Sequence, residues 1–524
     1  MAISARMKER IEAYVRELAA EFGAIADSAA DSWLARYRES GSRDRRRSGG
    51  GVDEAAVRRA ARWARGRRGE LPPVRQDGPL SGAPPAGARE SPLFRRRSPN
   101  RSTIVLAVAR LFFPRTSALG VEPDCPFTPS VLKKVVYAGA QSASFVQATK
   151  DLAALAELSV SRERVQRWTK RVGEERVAEV AARAEAYQEL PLPERRRSRT
   201  VQVPPVACVE TDGGRIQIRP RQAASEHDDT AGHWRETLLG CLLSMVSEEH
   251  VVDPCPTVPS TFVDPARMSR LSREIKGFSS TAATSEEKPD EPADETPLER
   301  PGRPKPLVRS VVATRQGIDA LGERLVAAAY ARGFHAARRK AFVADGSTTN
   351  WSIQRQHFSH YMPILDFTHA VCYVYAAAMA GRSSAAGWSE YCQWAQWLWS
   401  GATHELIAAV QARLQSLGPP GETEGESSPR TILAEAQGYL ENQRSRMKYA
   451  EYRRLGLPIT SSHIESTIKQ INRRVKGTEK FWDQGAEPLL QLAADHLSET
   501  PDLARFWRTR SQRLQSMRCY HAAA

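Results

Sequence analysis

Apolar and polar positions recur along this chain in patterns that predict a succession of helices and strands. Residues 4–26 carry apolar side chains at helical spacing, which predicts an amphipathic helix. Residues 41–102 lose that periodicity and become rich in Arg, Gly, Ser and Pro, which is typical of disorder. Helical patterning returns over 128–185. We therefore expect an amino-terminal helical segment at 1–40, a mostly disordered stretch at 41–102 and a helical region at 103–190.

Two helices joined by a tight turn are predicted within "SFVQATKDLAALAELSVSRERVQRWTKRVGEE". Ser161 is the expected N-cap of the second helix. The apolar positions are Phe145, Ala148, Leu152 and Leu155 in the first helix and Val165, Trp168 and Val172 in the second. The polar positions projecting from the second helix are Arg162, Arg164, Gln166, Arg167 and Lys170. This pattern predicts a helix-turn-helix that binds DNA. An ordinary helical hairpin with solvated arginines is the alternative.

Strand patterns begin at residues 206–219, where Val206, Cys208, Ile216 and Ile218 follow a period of two. Gly213-Gly214 predicts a turn between two strands there. A third apolar strand is predicted at 233–246, and the Pro-, Glu- and Ser-rich sequence after it predicts a disordered loop at about 250–312.

The patterns that follow predict a helix at 315–333, a strand ending at Asp345, a helix from about 348, a strand at 361–367 and a further helix. A helical insertion and a last helix after "LPITSSHIESTIKQINRRVKG" complete the chain. Three strands, helix, strand, helix, strand, helix is the element order of an α/β, ribonuclease H-like mixed sheet. The predicted domain boundaries are 200–383 for the first part of this catalytic domain, 384–455 for the insertion and 456–524 for the last part.

Three carboxylates occupy corresponding places in that order. Asp212 ends the first predicted strand, Asp345 ends the fourth, and Glu465 lies in the first turn of the late helix. Such a fold brings these positions together, and carboxylates are the hard oxygen ligands that Mg²⁺ prefers. Two ions held this way support phosphodiester displacement. The sequence therefore predicts a two-metal site on Asp212, Asp345 and Glu465.

Each carboxylate also has an ordinary structural explanation. Asp212 precedes Gly-Gly and is suited to a hairpin turn. Asp345 is suited to an Asx turn or to capping the next helix. Glu465 follows Ser462 by three residues, which is the spacing of a capping box. We favour the metal site because all three residues occur in the expected order.

The amino-acid composition indicates which class of molecule this chain binds. The 524 residues carry a formal net charge of +15, which favours a polyanion such as nucleic acid. The seven cysteines contain no CxxC pair, so neither a zinc ribbon nor a disulfide framework is expected. The amino terminus lacks a signal-peptide pattern and the longest apolar stretches are shorter than a membrane span. We expect an intracellular protein that associates with DNA.

Four segments, "ETDGGRIQIR", "VADGSTTNW", "ILDFTHA" and "LPITSSHIESTIKQINRRVKGTEKFW", resemble the catalytic motifs of bacterial insertion-sequence DDE transposases. The similarity is greatest to the Mutator-related group and its Kra-type lineage, and it covers residues 120–510. The resemblance implies a catalytic triad of Asp212, Asp345 and Glu465 with two Mg²⁺ or Mn²⁺ ions. It also implies that Asp366 and His369 support the site, and we expect His369 to pair with a neighbour rather than transfer a proton.

The resemblance further assigns the stretch containing Trp388, Trp394, Trp397 and Trp399 to the family's insertion, where amphipathic spacing predicts that these side chains are mostly core.

On the late helix, Ile464, Ile468, Ile471 and Val475 form an apolar face. Lys469, Arg473 and Lys476 form another face, suited either to phosphate contact or to solvent. The chain departs from the lineage in two places. Cys125 stands alone where a cysteine-containing region is usual, and the glutamate motif reads "ITSSHIES".

These observations predict a transposase that binds the terminal inverted repeats of its own element, cleaves the DNA at the element ends and joins the freed 3′-hydroxyl to target DNA. The resemblance implies a homodimer or larger assembly on double-stranded DNA in the bacterial cytoplasm, at the nucleoid. Two alternatives remain open: a metal-dependent nuclease of the same fold without strand transfer, and a catalytically decayed or domesticated DNA-binding protein.

Overall fold

The computed structural model describes most of the chain from residue 125 onward. The described residues are 125–195, 197, 203–218, 234–278, 302–421, 423–477, 480–482 and 485–523. All of them fall within one compact unit, residues 99–524. The predicted helix at 4–26 and the predicted disordered stretch at 41–102 lie outside the described residues. Every helix in the described part of the chain is too short or too polar to cross a lipid bilayer.

The protein is an α/β structure built on a mixed sheet. The strands are β1 (Val206–Ile218), β2 (Trp234–Val246), β3 (Lys305–Thr314), β4 (Arg339–Ala344), β5 (Met362–Leu365) and β6 (Phe481–Trp482). Five of them follow the order β3-β2-β1-β4-β5, and β6 pairs with the end of β1. The pairs β1–β2 and β2–β3 are antiparallel, whereas β1–β4 and β4–β5 are parallel.

Helices cover the sheet and extend from it. They are α1 (Pro129–Gln141), α2 (Phe145–Ala156), α3 (Arg162–Glu189), α4 (Leu192–Arg195), α5 (Pro265–Lys276), α6 (Ile318–Ala331), α7 (Thr348–His357), α8 (Phe367–Met379), α9 (Ser384–Ser400), α10 (Thr403–Leu417), α11 (Pro429–Gln443), α12 (Tyr449–Arg454), α13 (Ser462–Val475), α14 (Ala486–Leu497) and α15 (Asp502–Ala523). From α6 onward the element order agrees with the pattern in the sequence.

The predicted turn at Gly213-Gly214 is wrong, because β1 runs through both glycines. Its pairing with β2 continues without interruption from Val206 opposite Met245 to Gln217 opposite Trp234. Tertiary pairing outweighs the local turn tendency of the two glycines. Glycine also fits here for a steric reason, since a Cβ on Gly214 would lie 3.0 Å from the Thr237 hydroxyl. Asp212 is therefore inside β1 and does not end it.

The predicted disordered loop at about 250–312 is also wrong in its described parts. Residues 265–276 form α5, where the Asp264 side chain caps the helix by accepting from the Arg267 amide at 2.7 Å. Residues 305–314 form β3, which pairs with β2 and buries Val311, Val312 and Ala313. The first three strands of the sheet are therefore β1, β2 and β3. The two strands predicted on either side of Gly213-Gly214 are the single strand β1. Residues 279–301 lie outside the described part.

The helical insertion buries its large aromatic side chains, as its amphipathic spacing predicted. Trp394 and Trp399 are buried, while Trp388 and Trp397 are partly buried against the same core. The two-helix pattern before the sheet is also largely right, since Val165, Trp168 and Val172 are buried. Leu155 was assigned wrongly to the apolar face. Leu155 is 86% exposed, because α2 ends one residue later and the chain turns at Glu157, whose φ is 54°.

Buried arginines attach α1–α3 to the rest of the protein. Arg474 of α13 donates from Nε and Nη2 to the Gly139 carbonyl of α1, both at 3.1 Å, and its guanidinium lies 4.5 Å from the centre of the Phe145 ring. Arg176 of α3 makes two hydrogen bonds, 2.8 and 3.1 Å long, to the Asp495 carboxylate of α14. The region predicted to bind DNA is therefore packed firmly on the helices beside the sheet.

His496 makes the stability of this packing sensitive to pH. The imidazole meets the Tyr137 ring of α1 edge-on at 4.9 Å, and burial, with the charge of Lys133, lowers its pKa to about 4. Below pH 6.5 the unfolded chain binds a proton that the folded protein excludes, so stability should fall as the pH drops towards 4. The expected slope is up to about 1.4 kcal/mol per pH unit. Urea unfolding at pH 7 and pH 5 should show a smaller loss for His496→Phe than for the wild type. Equal losses would contradict this assignment.

Candidate metal centre

Neighbouring strands bring the two predicted aspartates together. In the parallel pair β1–β4 the last matched residues are Thr211 and Ala344, so Asp212 and Asp345 come next on adjacent strands. Strands in a sheet lie about 4.8 Å apart. The negative charge of Asp345 raises the pKa of Asp212, as expected for carboxylates on adjacent strands. Burial and that charge raise the pKa of Asp212 to about 6, partly offset by an amide hydrogen bond and by His369.

Asp345 is fixed through one of its two carboxylate oxygens. Oδ1 accepts from the Ser347 amide and from Asn350 Nδ2, each at 2.9 Å. The Asx turn considered from the sequence is therefore present, but it uses only this oxygen. No hydrogen bond to Oδ2 is made by any residue that the structure describes. Asp212 is similar, since its Oδ1 accepts from the Gly213 amide at 2.6 Å.

The helical insertion supports the turn that carries Asp345. Tyr439 of α11 donates its hydroxyl to the Asp345 carbonyl at 2.7 Å, and Gln443 Nε2 donates to the Gly346 carbonyl at 3.0 Å. Gly346 has φ of +100°, and a Cβ there would lie 2.9 Å from the Tyr439 ring. Glycine is thus required both for the backbone conformation and for close approach of the ring. Tyr439 in turn stacks on Tyr373 of α8 with ring centres 3.6 Å apart.

Glu465 lies in the first turn of α13, and its side chain does not form the capping box considered above. The N-cap is Ser461, and Ser461 donates its hydroxyl to Asp366 at 2.5 Å. Burial and the charge of Asp366 raise the pKa of Glu465, and Asp212 contributes in the same direction. Within the described ranges, neither carboxylate oxygen of Glu465 accepts a hydrogen bond.

Asp366 and His369 form a pair at the start of α8. Asp366 is fully buried, and its Oδ1 accepts from the His369 amide at 2.9 Å, while its Oδ2 accepts from the Ser461 hydroxyl and amide. His369 Nδ1 lies 3.4 Å from Asp366 Oδ1. Burial opposes the imidazolium, but Asp366, Asp345 and Glu465 together raise the pKa of His369 to about 9. The direction of this shift favours the protonated imidazole, whose charge would offset part of the surrounding negative charge.

Sequence reasoning missed a fifth carboxylate, Glu210. It is fully buried two residues before Asp212 on β1, and burial raises its pKa to about 8. Its Oε2 accepts from the Ile464 amide at 2.8 Å, so it caps the helix that carries Glu465. The available signal was the period of two along β1, which places Cys208, Glu210 and Asp212 on the same face.

The donor set fits divalent cations. Ligand atoms of Asp366, His369 and Glu465 lie within 4.8 Å of one another, but both oxygens of Asp366 already accept hydrogen bonds from the protein. The available oxygens belong to Asp212, Asp345 and Glu465. Hard carboxylate oxygens on rigid elements are suited to Mg²⁺ or Mn²⁺. Asp212 and Asp345 do not belong to the group of ligand atoms within 4.8 Å, so metal binding by Asp212, Asp345 and Glu465 stays a prediction from the sequence.

The residues predicted to contact DNA lie on two helices. On α3, Arg162, Arg164, Gln166 and Arg167 are exposed and Lys170 is partly exposed. On α13, Lys469 and Arg473 are exposed, and Lys476, the residue directly after the helix, is exposed as well. Ile464, Ile471 and Val475 are buried and Ile468 is partly buried. Lys469 lies close enough to Glu465 for its charge to lower the pKa of that carboxyl against the stronger effect of burial.

Removing the Tyr439 hydroxyl tests whether α11 positions Asp345. Tyr439→Phe loses the hydrogen bond to the Asp345 carbonyl and keeps the stack on Tyr373. A hydrogen bond contributes about 1 kcal/mol, so we expect Mn²⁺ to bind roughly threefold to tenfold more weakly in calorimetric titration. Tyr373→Phe is the matched control, because it keeps the same stack and should leave Mn²⁺ affinity within about twofold. Unchanged affinity in Tyr439→Phe would show that the hydroxyl does not position the aspartate.

Comparison with known proteins supplies no family for this chain. No protein-family model matches it, and no curated protein matches it. The functional proposal therefore depends on the residues themselves. Asp212 and Asp345 directly follow the last paired residues of the adjacent strands β1 and β4, and the charge of Asp212 acts on Glu465 of α13.

Proposed function

We propose that this protein is a DNA transposase with a ribonuclease H-like catalytic domain. The support from the fold is the strand order β3-β2-β1-β4-β5, with the first three strands antiparallel and the last two parallel to β1. That arrangement is compatible with the fold expected from the sequence motifs.

One observation carries the proposal. The motif resemblance assigns Asp212, Asp345 and Glu465 to a catalytic triad, and they come from distant parts of the chain. The charge of Asp345 raises the pKa of Asp212, and the charge of Asp212 raises the pKa of Glu465. Each has carboxylate oxygen that accepts no hydrogen bond from the described residues. A turn aspartate or a helix cap would use such oxygens in hydrogen bonds, so unbonded carboxylate oxygens on all three residues support metal binding.

The surrounding residues hold the triad in place. When bound, two divalent cations activate the attacking oxygen and stabilise the leaving oxygen of a phosphodiester. Ser347 and Asn350 orient the Asp345 carboxylate through Oδ1. Glu210 and Asp366 hold the start of α13 from two sides. Such support from surrounding hydrogen bonds is what keeps metal ligands in a productive geometry.

DNA binding is proposed for α2 and α3 as a helix-turn-helix. The two helices are separated by five residues, α3 buries Val165, Trp168 and Val172, and its exposed start carries three arginines and a glutamine. Lys469 and Arg473 on α13 and Lys476 directly after it are exposed, and they are proposed to contact phosphates near the candidate metal centre. A net charge of +15 favours both assignments. A homodimer or larger assembly on double-stranded DNA follows from the need to join two element ends.

The test uses purified full-length protein and duplexes carrying the inverted repeats that flank its gene. With Mg²⁺ or Mn²⁺ we expect cleavage at the repeat end, and with pre-cleaved ends we expect joined product in target DNA. Cleavage without joined product would instead indicate a ribonuclease H-like nuclease. Binding without any metal-dependent cleavage would indicate a decayed or domesticated DNA-binding protein.

A further inference from the structure

Two histidines lie together at the end of the sheet where the parallel strands β4 and β5 begin. His335 belongs to the short 3₁₀ helix Phe334–Ala336 that follows α6 and precedes β4, and His360 lies just before β5. Asp345 directly follows the other end of β4. A strand of six residues spans roughly 20 Å, so the histidines lie apart from the candidate metal centre.

One ring nitrogen of each histidine faces the other. His335 Nδ1 and His360 Nε2 are 3.5 Å apart. Two nitrogens bound to one tetrahedral Zn²⁺ ion, each at about 2.0–2.1 Å from it, are about 3.4 Å from each other. A hydrogen bond that an N–H group donates to oxygen usually spans about 2.7–3.2 Å. The observed separation is therefore closer to that of two ligands of one ion.

Burial decides which nitrogen of His335 is available to an ion. Its Nε2 is buried and has no hydrogen-bond partner among the described residues. Nδ1 is thus the nitrogen that can reach an ion in contact with water. His360 is exposed, which gives such an ion access from solvent.

Two tyrosine rings hold the His335 imidazole in its orientation. Tyr187 of α3 stacks on it, with ring centres 6.5 Å apart and planes inclined by 16°. Tyr330 of α6 lies on it at a tilt, with ring centres 6.2 Å apart. A side chain that packing holds in this way is oriented before a metal arrives, which favours binding.

The charges around His335 favour a particular class of metal. Burial, with the charges of His360 and Lys340, lowers the pKa of His335 to about 4. The direction of this shift favours the neutral imidazole, which offers a lone pair without first losing a proton. Within the described part of the chain, the groups that shift this pKa include no carboxylate. Imidazole ligands alone suit Zn²⁺, whereas Mg²⁺ and Mn²⁺ prefer oxygen ligands.

We propose that His335 Nδ1 and His360 Nε2 bind one Zn²⁺ ion, with water completing its coordination. The ion joins the turn after α6 to the turn before β5, and so links the beginnings of two parallel strands. Because only the folded chain brings the two nitrogens together, the ion stabilises the fold. It takes no part in the chemistry proposed for the carboxylates at the other end of β4.

Zinc titration of the full-length protein in excess Mg²⁺ tests this site, with a chromogenic zinc chelator as the competitor. His335→Ala and His360→Ala should each weaken zinc binding at least about tenfold, since even a residue that only orients a metal ligand contributes roughly 10–100-fold. His404→Ala removes an exposed histidine of α10 and should change the affinity by less than about twofold. Glu465→Gln alters the candidate metal centre and should retain the ion.

Thermal melting gives a second measurement. Zn²⁺ should raise the melting temperature of the wild type and of His404→Ala, but not that of His360→Ala, whose exposed side chain can be removed without opening the core. Wild-type zinc affinity in His360→Ala, no zinc binding by the wild type, or loss of the ion in Glu465→Gln alone would overturn the proposal. None of these results depends on DNA cleavage, so the proposed function is tested separately.

Discussion

Replacing Asp345 with asparagine should reduce Mn²⁺-dependent DNA cleavage by roughly a thousandfold or more. Asparagine can keep the acceptor that binds the Ser347 amide, but it removes the negative charge offered by the unbonded Oδ2. Asp212→Asn and Glu465→Gln should have effects of similar size. Because the three residues act as one unit, the double variant Asp212→Asn/Glu465→Gln should lose little more activity than either single variant. Initial cleavage rates on a labelled duplex measure all four.

The control for this series is Asp319→Asn. Asp319 is an exposed aspartate in the first turn of α6, and its charge acts on His357 of α7. Its variant should cleave within about twofold of the wild type. Thermal melting should show each triad variant folded. If folded Asp345→Asn kept more than about a tenth of wild-type activity, these carboxylates would not be the metal site of the reaction.

Breaking the buried ion pair between Arg176 and Asp495 should lower the free energy of unfolding by about 3–5 kcal/mol. The two side chains are 3% and 6% exposed and make two direct hydrogen bonds. Arg176→Met would leave the Asp495 carboxylate buried without its ion-pair partner, and Asp495→Leu would leave Arg176 with Glu179 alone, 3.2 Å away, which is the origin of the large loss. Urea denaturation monitored by circular dichroism measures it.

The double variant Arg176→Met/Asp495→Leu should recover most of that stability, since an apolar pair of similar volume needs no desolvated charge. The partly exposed pair Arg183–Asp502, 3.2 Å apart, links the same helix α3 to α15 and provides the control. Arg183→Met should cost no more than about 1 kcal/mol. If the double variant were as unstable as the single ones, packing rather than charge would explain the loss.

The sequence allowed accurate prediction where the signal was local. The strand before Asp345, the helix after it and the first turn of α13 each have a pattern that a short window reveals, and all three elements are present. Asp212 was placed at a strand end because Gly213-Gly214 is a strong local turn signal. The uninterrupted pairing of β1 with β2 overrides that signal, and no short window contains it.

Glu210 and β3 could not be recognised for related reasons. The role of Glu210 depends on the Ile464 amide, 254 residues later in the chain, and a single acidic residue in an apolar strand gives no indication of that partner. The strand β3 follows directly on a Pro- and Glu-rich composition that is typical of disorder, and Pro306 lies inside it next to an irregularity in its pairing with β2.

The contact between Tyr439 and the Asp345 carbonyl limits how far this protein can be shortened without disturbing Asp345. Residues 384–455 contribute no strand to the sheet, so the order of elements along the chain suggests that they could be removed. Yet the bond at 2.7 Å and the ring beneath Gly346 both come from that stretch. A shortened protein that joined α8 directly to α13 would keep Asp212, Asp345 and Glu465. It would lose the hydrogen bond from Tyr439 that supports the turn at Asp345. Miniaturisation must therefore retain α11 or install a substitute for its tyrosine.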